Sequence, residues 1–232
     1  MHGGWYPTQI AYSSPHIIDE VRWLRDARYA FGQARNHALN ANANGVFQSV
    51  KTNWSGGWYT NWIPYSMWGA YQVHPDKKFL ADTVDAMSAD VRGHFVEFDS
   101  DKDMLCSPPS HWPTGMEWQP AFFHFNDYDN SKPEAKLERA DLVAYHYGNA
   151  RATAAAYRAL QKPDDARAMD RIAQDIQEAA LAKLWNSADA WFYAIREHDD
   201  AEAKCQEIVG FYPFVFGLAP PLLEFSRAYR FL

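Results

Sequence analysis

A single carboxylate between two tryptophans is the side chain of this sequence best placed to do chemistry. Glu117 lies in the stretch HWPTGMEWQP (111–120), whose two prolines and one glycine disfavour a regular helix. Aromatic faces stack on sugar rings, and an apolar wall penalises the charged form of a carboxyl group, as a general acid near neutral pH requires. Glu117 is therefore a candidate acid for cleaving a glycoside, and a buried aromatic turn with a capping glutamate is the alternative interpretation.

Other side chains near this stretch could bind a sugar. The candidate stacking platforms are the tryptophans Trp58, Trp62, Trp112 and Trp118, although a tryptophan at helical spacing, such as Trp62, is more often a core residue. Asp141 and Tyr145 are four residues apart, on one face of a predicted helix with Glu138, and could bind sugar hydroxyls. Acidic residues near a helix start would equally complement its dipole.

Two charged clusters have simpler interpretations. Oxygen ligands with the spacing of a calcium loop are offered by Asp99, Asp101, Asp103 and the backbone carbonyl of Leu105. Met104 stands at the sixth position in place of glycine, and Ser110 stands at the twelfth in place of a bidentate glutamate, so we favour a solvated acidic turn over a structural calcium site. The other cluster comprises Asp19, Glu20, Arg22 and Arg25, for which ion pairing along a surface helix is favoured over substrate binding.

Several reaction types are disfavoured by the motifs. His111 and His124 bracket the aromatic stretch, but no His/Cys/Asp set has the spacing of a catalytic metal site, and no Gly-x-Ser-x-Gly phrase occurs. Asp164 and Asp165 follow a proline at a predicted helix start, so helix capping explains them better than the metal cluster of a terpene cyclase. Apart from the possible calcium, we expect no cofactor.

Composition narrows the class of protein. The 232 residues are 47% hydrophobic and 16% aromatic, which indicates a globular domain with a large core. The net charge of -7 argues against a nucleic-acid partner. Residues 1–5 lack the features of a signal peptide, and no apolar run reaches the roughly 20 residues of a membrane span, so we expect a soluble chain without a membrane partner. Two cysteines, Cys106 and Cys205, leave the compartment open, and the oligomeric state is not predicted.

The elements that would position these residues are mostly helices. Hydrophobic periodicity and helix start signals predict helices over 15–42, 61–73, 75–98, 137–161 and 163–185, an irregular aromatic-rich insertion over 99–135, a strand over 190–195, and apolar, helical character over 207–232. The segment from Phe47 to Gly57 is expected to be extended or a loop. The recurring unit is a helical hairpin with loops clustered between hairpins, which predicts an all-α toroid.

Several phrases resemble the six-hairpin glycosidases with an (α/α)6 toroid, nearest to the branch of processing α-glucosidases (glycoside hydrolase family 63), trehalases and mannosylglycerate hydrolases. The phrases are WIPYSMW (62–68) with HPDKKFL (74–80), TGME (114–117), ADLVAY (140–145), LWN (184–186) with WFY (191–193), and IVGFYPFVFGLA (208–219). The resemblance covers most of the chain and implies one domain over 1–232, with a carbohydrate as its partner.

The resemblance also implies a catalytic role for Glu117. The family carries the general acid of an inverting mechanism in a Ser-Gly-x-Asp phrase, with which Thr114-Gly115-Met116-Glu117 aligns, although glutamate replaces aspartate here. The family's base lies beyond the Gly-Phe-x-Pro phrase, and this chain ends at Leu232 soon after that phrase. We therefore expect a fragment that lacks the base and the C-terminal hairpins, and that alone does not hydrolyse glycosides at an enzymatic rate.

Three functions remain open at this point. The first is a glucosidase-type glycoside hydrolase that cleaves a small oligosaccharide or glycoside by inversion. The second is a rhamnosidase or arabinofuranosidase on the same toroid, since the fold does not fix the substrate. The third is a carbohydrate-binding fragment without catalysis, in which the tryptophans bind sugar.

Overall fold

The computed structural model of the chain describes residues 9–50 and 57–232. Residues 1–8 and 51–56 lie outside this part, and with them lie the N-terminal stretch and half of the segment expected to be extended. The long helices are α1 (Ser13–Val21), α2 (Arg28–Ala38), α3 (Ile63–Val73), α4 (Lys77–Phe98), α6 (Ala140–Ala159) and α7 (Pro163–Lys183), and the one-turn helices are α5 (Pro120–Phe123), α8 (Tyr212–Val215) and α9 (Leu223–Ser226). The predicted all-α class is confirmed.

The helices form an incomplete ring of hairpins. Helices α1, α3, α6 and α8 lie side by side, since each contacts the next, whereas α2, α4 and α7 are their hairpin partners. Of the 20 residues of α6, 16 are buried, as expected of an inner helix enclosed by neighbours. In α7 only one stripe is buried, namely Ala166, Met169, Ala173, Ile176 and Ala180, so this helix lies on the outside.

The single helix predicted from Pro15 to about Asn42 is wrong, because the chain breaks between α1 and α2. The backbone carbonyl of Arg22 accepts a hydrogen bond from the His74 ring at 2.8 Å. The Asp26 carboxylate then accepts one from the backbone N–H of Arg28 at 3.0 Å, which satisfies a donor of the first turn of α2. A partner from another hairpin and a local cap therefore divide one apolar stripe into two helices.

The helix predicted from Leu137 also begins later. Leu137–Glu138 form strand β1, which pairs with strand β4 (Ala194–Arg196), and β4 pairs with β5 (Ala201–Ala203). The predicted strand over 190–195 is confirmed as β3 (Trp191–Phe192) and β4, and β3 pairs with β2 (Trp185–Asn186). Because Glu138 lies in a strand, it does not share a helix face with Asp141 and Tyr145 as predicted.

The irregular insertion expected over 99–135 is confirmed, and it has a small core of its own. Short 3₁₀ turns at Trp112–Thr114 and His124–Asn126 flank α5. The buried residues of this second core are Ala121, Phe122, Phe123, Leu137, Ala194 and Ala203. They join the insertion to the three-stranded sheet, and this burial of apolar surface keeps a long segment of little regular structure in one place.

Three further features concern the chain as a whole. Among the residues that the structure describes, no helix is long and apolar enough to cross a membrane. Cys106 is buried and Cys205 is half-buried, and both are free thiols. The main core contains side chains of α1, α2, α3, α4, α6 and α7, so it continues from one hairpin to the next.

Acid is expected to destabilise the fold through His37. Its ring is enclosed in the core with Nε2 at 2.7 Å from Ser14 Oγ, and burial lowers the pKa of His37 to about 4. Below pH 6.5 the unfolded chain binds a proton here that the folded chain does not, so the free energy of unfolding falls by about 3 kcal/mol between pH 6.5 and 4. Urea unfolding at several pH values measures this slope. In a His37→Gln variant, the free energy of unfolding should fall less between pH 6.5 and 4. An unchanged pH dependence in this variant would show that His37 is not the responsible group.

Candidate active site

Glu117 is half-buried in a turn between the first 3₁₀ turn of the insertion and α5. Gly115 and Trp118 on either side of it have left-handed backbones, with φ of 67° and 68°. Such a φ is rare for a bulky residue such as tryptophan, so its surroundings must hold the turn. Thr60 does so in part, since its N–H donates to the Pro113 carbonyl at 2.8 Å and its hydroxyl to the Thr114 carbonyl at 3.2 Å.

Gly115 brings the turn into contact with α1. A Cβ atom at this position would lie 2.2 Å from Cδ1 of Tyr12, the residue just before that helix. Glycine thus allows both the left-handed φ and the close approach of the Tyr12 ring. The glycine of the TGME phrase therefore sets Glu117 directly beside the first inner helix.

The two tryptophans of the acid stretch form an exposed aromatic edge. Trp112 and Trp118 are each 56% exposed and meet edge to face at 5.6 Å, and Trp118 stacks on Phe123. His111 is buried beneath them, with its Nδ1 at 2.6 Å from a carboxylate oxygen of Glu134. Each of the two rings is therefore more than half exposed, and one face of Trp118 is covered by Phe123.

Trp62 lies in a buried aromatic cluster with Tyr12 and Tyr145. Its ring centre lies 4.8 Å from that of Tyr145 and 6.0 Å, edge to face, from that of Tyr12. Its indole N–H donates to Asp19 at 3.2 Å, and the Ser66 hydroxyl donates to the same oxygen at 3.0 Å. The sequence placed Asp19 in a surface ion pair, and it does pair with Arg22, but it also fixes the orientation of Trp62.

Three tyrosines lie near Asp141, and one of them, Tyr12, also lies near Glu117. Burial raises the pKa of Tyr12 to about 12, with additional effects from the nearby Tyr212, Asp141 and Glu117. Burial, followed by the charge of Asp141, also raises the pKa of Tyr145 and of Tyr212. These phenols therefore remain protonated at neutral pH and can act as hydrogen-bond donors. Tyr12 and Tyr212 are half-buried, whereas the Tyr145 hydroxyl is enclosed by protein.

Asp141 is held by a buried arginine rather than left free. Arg139 and Asp141 are both fully buried and share two contacts, Nε to Oδ1 at 3.1 Å and Nη2 to Oδ2 at 3.2 Å. The same guanidinium reaches Glu207 at 3.5 Å and also donates to Gln119. Burial raises the pKa of Glu207, against the opposing charge of Arg139.

The structure therefore brings most of the predicted site residues together and places others elsewhere. Glu117, Trp62, Asp141 and Tyr145 surround Tyr12. Trp58 instead donates to the buried His94 at 3.0 Å and stacks on Phe98, so it is a packing residue at the end of α4. The site residues that sequence reasoning missed are Tyr12, Arg139, Glu207 and Tyr212, whereas Asp19 was considered and assigned to a surface ion pair. Of the four, only Tyr212 lies in one of the phrases that carry the family resemblance.

The acidic turn before the insertion is a separate site. Carboxylate oxygens of Asp99, Asp101 and Asp103 lie within 4.8 Å of one another. Met104 has a φ of 75°, so it adopts the left-handed turn that glycine supplies in a calcium loop. Lys183 pairs with Asp103 at 2.7 Å, and this contact occupies one of the oxygens.

Glu138 lies beside this turn and is fully buried. Neither of its carboxylate oxygens has a hydrogen-bond partner among the described residues. Burial, followed by the charge of Asp103, raises the pKa of Glu138 to about 9. A buried carboxyl group without partners is costly, and a bound cation is one arrangement that would satisfy it.

Several solved structures with this fold are titled as glycosidases. A GH63 mannosylglycerate hydrolase from Thermus thermophilus, in complex with glucose, matches with a TM-score of 0.81 at 13% identity, over 98% of this chain and 71% of that chain. Its complex with Tris matches with a TM-score of 0.83 at 14% identity, over 98% and 71%. A GH78 family rhamnosidase of Bacillus sp. GL1 matches with a TM-score of 0.76 at 13% identity, over 96% and 22%.

These likenesses show the fold, and the expected incomplete (α/α)6 toroid is thereby confirmed. The family follows from the sequence itself. The family model described as "Mannosylglycerate hydrolase MGH1-like glycoside hydrolase domain" matches residues 6–232, almost the whole chain. The chain therefore belongs to the mannosylglycerate hydrolase-like family of glycoside hydrolase domains.

Proposed function

We propose that this domain cleaves a small glycoside with inversion of configuration and that Glu117 is the general acid. The observation that carries this proposal is the position of Glu117 on a turn held against Tyr12, which also lies near Asp141 and packs on Trp62. Trp62 and its neighbour Tyr145 would form the floor of the sugar site. Glu117 would protonate the departing oxygen, the tyrosine hydroxyls would bind sugar oxygens, and Trp62 would lie against the ring.

The second carboxylate of an inverting pair is proposed to lie outside these 232 residues. Inversion needs a base about 6.5–9.5 Å from the acid, with room for a water molecule between them. Near Glu117, the described carboxylates Asp141 and Glu207 both contact Arg139, and Glu207 also accepts from the Ala121 N–H. Carboxylates that are already paired in this way are poorly placed to activate water.

The 232-residue chain alone is accordingly expected not to hydrolyse glycosides at an enzymatic rate. Without the base, only a small part of the acceleration remains, since general acid or base catalysis contributes about 10²–10⁴-fold in a typical enzyme. Release of reducing sugar from a panel of glycosides measures this. Turnover by the 232-residue chain that Glu117→Gln abolishes would place the base within the chain and overturn this part of the proposal.

The substrate is proposed to be a small oligosaccharide or glycoside of the kind that a glucosidase-type enzyme cleaves. A solved structure with this fold is titled as a complex with glucose, and another structure of the same enzyme is titled as a complex with Tris and D-glycerate. Others are titled as rhamnosidases, so a rhamnoside or arabinofuranoside is the second candidate. A glycoside panel that contains glucosides, mannosylglycerate, rhamnosides and arabinofuranosides separates the candidates.

A carbohydrate-binding function without catalysis is the remaining alternative. Trp62, Trp112 and Trp118 would report sugar binding through their fluorescence. Saturable binding of glucose or mannosylglycerate without turnover, in a form of the domain that also carries the proposed base, would favour this alternative over the hydrolase.

We also propose that the acidic turn binds calcium with the help of Glu138. The carboxylates of Asp99, Asp101 and Asp103 are hard oxygen ligands of the kind that this ion prefers, and Met104 already adopts the turn that the spacing requires. Glu138 lies close enough to feel the charge of Asp103, and its buried oxygens have no partner among the described residues. The buried Glu138 favours calcium over the solvated turn that the sequence suggested. The ion would fix the start of the insertion, and its role would be structural.

Calcium is expected to raise the melting temperature. At about 100 times its Kd, the ion adds about 2.7 kcal/mol, which corresponds to about 5–10 °C for a chain of this size. Differential scanning calorimetry in EDTA and in excess calcium measures the shift, with magnesium as the control ion. Glu138→Gln should remove most of the calcium shift and leave the melting temperature in EDTA nearly unchanged. An equal calcium shift in this variant would exclude Glu138 as a ligand.

A further inference from the structure

Arg139 is a fully buried charge at the junction between β1 and α6. Its guanidinium contacts Asp141 through Nε and Nη2 and Glu207 through Nη1, and Nη2 also donates to Gln119. The guanidinium also lies over the Phe122 ring, 4.2 Å from its centre. Because each of its nitrogens has an acidic or amide partner and the side chain is not exposed, Arg139 has no free face for a substrate.

The partners of Arg139 belong to three separate parts of the chain. Gln119 lies two residues after Glu117, Asp141 is in the first turn of α6, and Glu207 precedes the 3₁₀ turn that leads to α8. Glu207 also accepts a hydrogen bond from the N–H of Ala121 at 2.8 Å. Arg139 therefore holds the segment after Glu117 twice, directly at Gln119 and through Glu207 at Ala121.

We propose that Arg139 is the positioning residue of the acid, which fixes the turn of Glu117 relative to the helix that carries Asp141 and Tyr145. A planar guanidinium presents its donors in fixed directions, so it transmits the position of one partner to the others. An ammonium group cannot meet these partners in the same geometry. The inference rests on the proposed function of Glu117, since without that role the guanidinium fixes the turn but serves no reaction.

The other contacts of the turn hold different parts of it. Tyr12 and Thr60 hold residues 113–115, which precede Glu117, and the Met116 sulfur accepts from the Tyr212 hydroxyl at 3.9 Å. After Glu117, Trp118 stacks on Phe123, which lies within the insertion itself. Beyond Glu117, the polar contacts from the turn to the inner helices pass through Arg139 and Glu207.

The test removes the hydrogen bond between Arg139 and Gln119. Loss of the guanidinium would leave two buried carboxylates without a counter-charge and could prevent folding, so Gln119→Leu is the principal variant. Gln119→Glu is the conservative variant, because its carboxylate can still accept from Arg139. Gln174→Leu, on the exposed face of α7, is the matched control. Arg139→Lys is a second test if it folds.

The readout is amide hydrogen exchange of residues 116–122, measured with α4 and α6 as internal references. Gln119→Leu is expected to speed exchange in this segment about tenfold, the effect of one lost hydrogen bond to a charged group, with the references unchanged. Gln119→Glu should restore the protection, and Gln174→Leu should not alter it. Unchanged exchange in Gln119→Leu would overturn the proposal, as would equal acceleration in all helices.

A kinetic measurement connects the arrangement to the reaction. In a form of the domain that carries the base, Gln119→Leu should lower kcat about tenfold with little change in KM, because the substrate floor is intact while the acid is displaced. A rise in KM alone would show that Gln119 acts on binding and would contradict the positioning role. If exchange responds as expected but Glu117→Gln keeps full turnover, the proposed acid is wrong while the structural link remains.

Discussion

Replacing Glu117 by glutamine is expected to lower the turnover of an unactivated glycoside by about 10²–10⁴-fold in a form of the domain that carries the base. Glutamine keeps the shape of the side chain and its place on the turn, but it cannot deliver a proton to the departing oxygen. The value of KM should change little, because the floor of Trp62 and Tyr145 remains in place. Initial rates over a range of substrate concentrations measure both constants.

A matched control for this variant is Glu178→Gln, which makes the same change on the exposed side of α7. It should retain full turnover. If Glu117→Gln loses less than about threefold, well below the usual contribution of a general acid, another group donates the proton.

Truncation of Trp62 to alanine is expected to have the largest effect on stability. The side chain is 7% exposed and contacts Tyr12, His16, Tyr145 and Phe216. Removing a buried tryptophan costs about 3–5 kcal/mol, and here it also removes one of the three donors to Asp19, which keeps Ser66 and Arg22. Urea unfolding measures the loss, and sugar binding should disappear with the floor.

Two other variants separate the parts of this effect. Trp62→Phe keeps an aromatic ring but loses the bond to Asp19 and part of the buried ring, so it should retain sugar binding at reduced stability. Trp23→Ala removes a tryptophan that is 70% exposed and should change stability by less than about 0.5 kcal/mol. Equal destabilisation by Trp62→Ala and Trp23→Ala would show that the buried contacts of Trp62 do not stabilise the fold more than those of an exposed tryptophan.

Local chemistry made much of the fold predictable from the sequence. The stripe of α4 and its start were visible, since Pro75 and the Asp76 cap mark the first turn, where Asp76 accepts from two backbone N–H groups. Prolines and Gly115 likewise predicted that Glu117 lies outside regular helix. These signals depend on residues that are close in sequence, so they can be recognised without knowing which distant residues the segment contacts.

The parts that could not be predicted depend on distant partners. The break after α1 follows from His74, which is 52 residues away from Arg22. The interior of the site depends on Tyr12, Glu207 and Tyr212, and no spacing rule connects these residues to Glu117. Trp62 was ambiguous for a related reason, since it precedes α3 and its burial against Tyr145 is decided by the neighbouring helix α6.

The role of Glu117 is tested most directly by the dependence of turnover on the leaving group. In a form of the domain that carries the base, the wild type and Glu117→Gln would be compared on an alkyl glycoside and on the dinitrophenyl glycoside of the same sugar. A dinitrophenolate departs without protonation, so the variant should lose about 10²–10⁴-fold on the alkyl glycoside and at most about tenfold on the activated one. Equal losses on both substrates would contradict the assignment of Glu117 as the general acid.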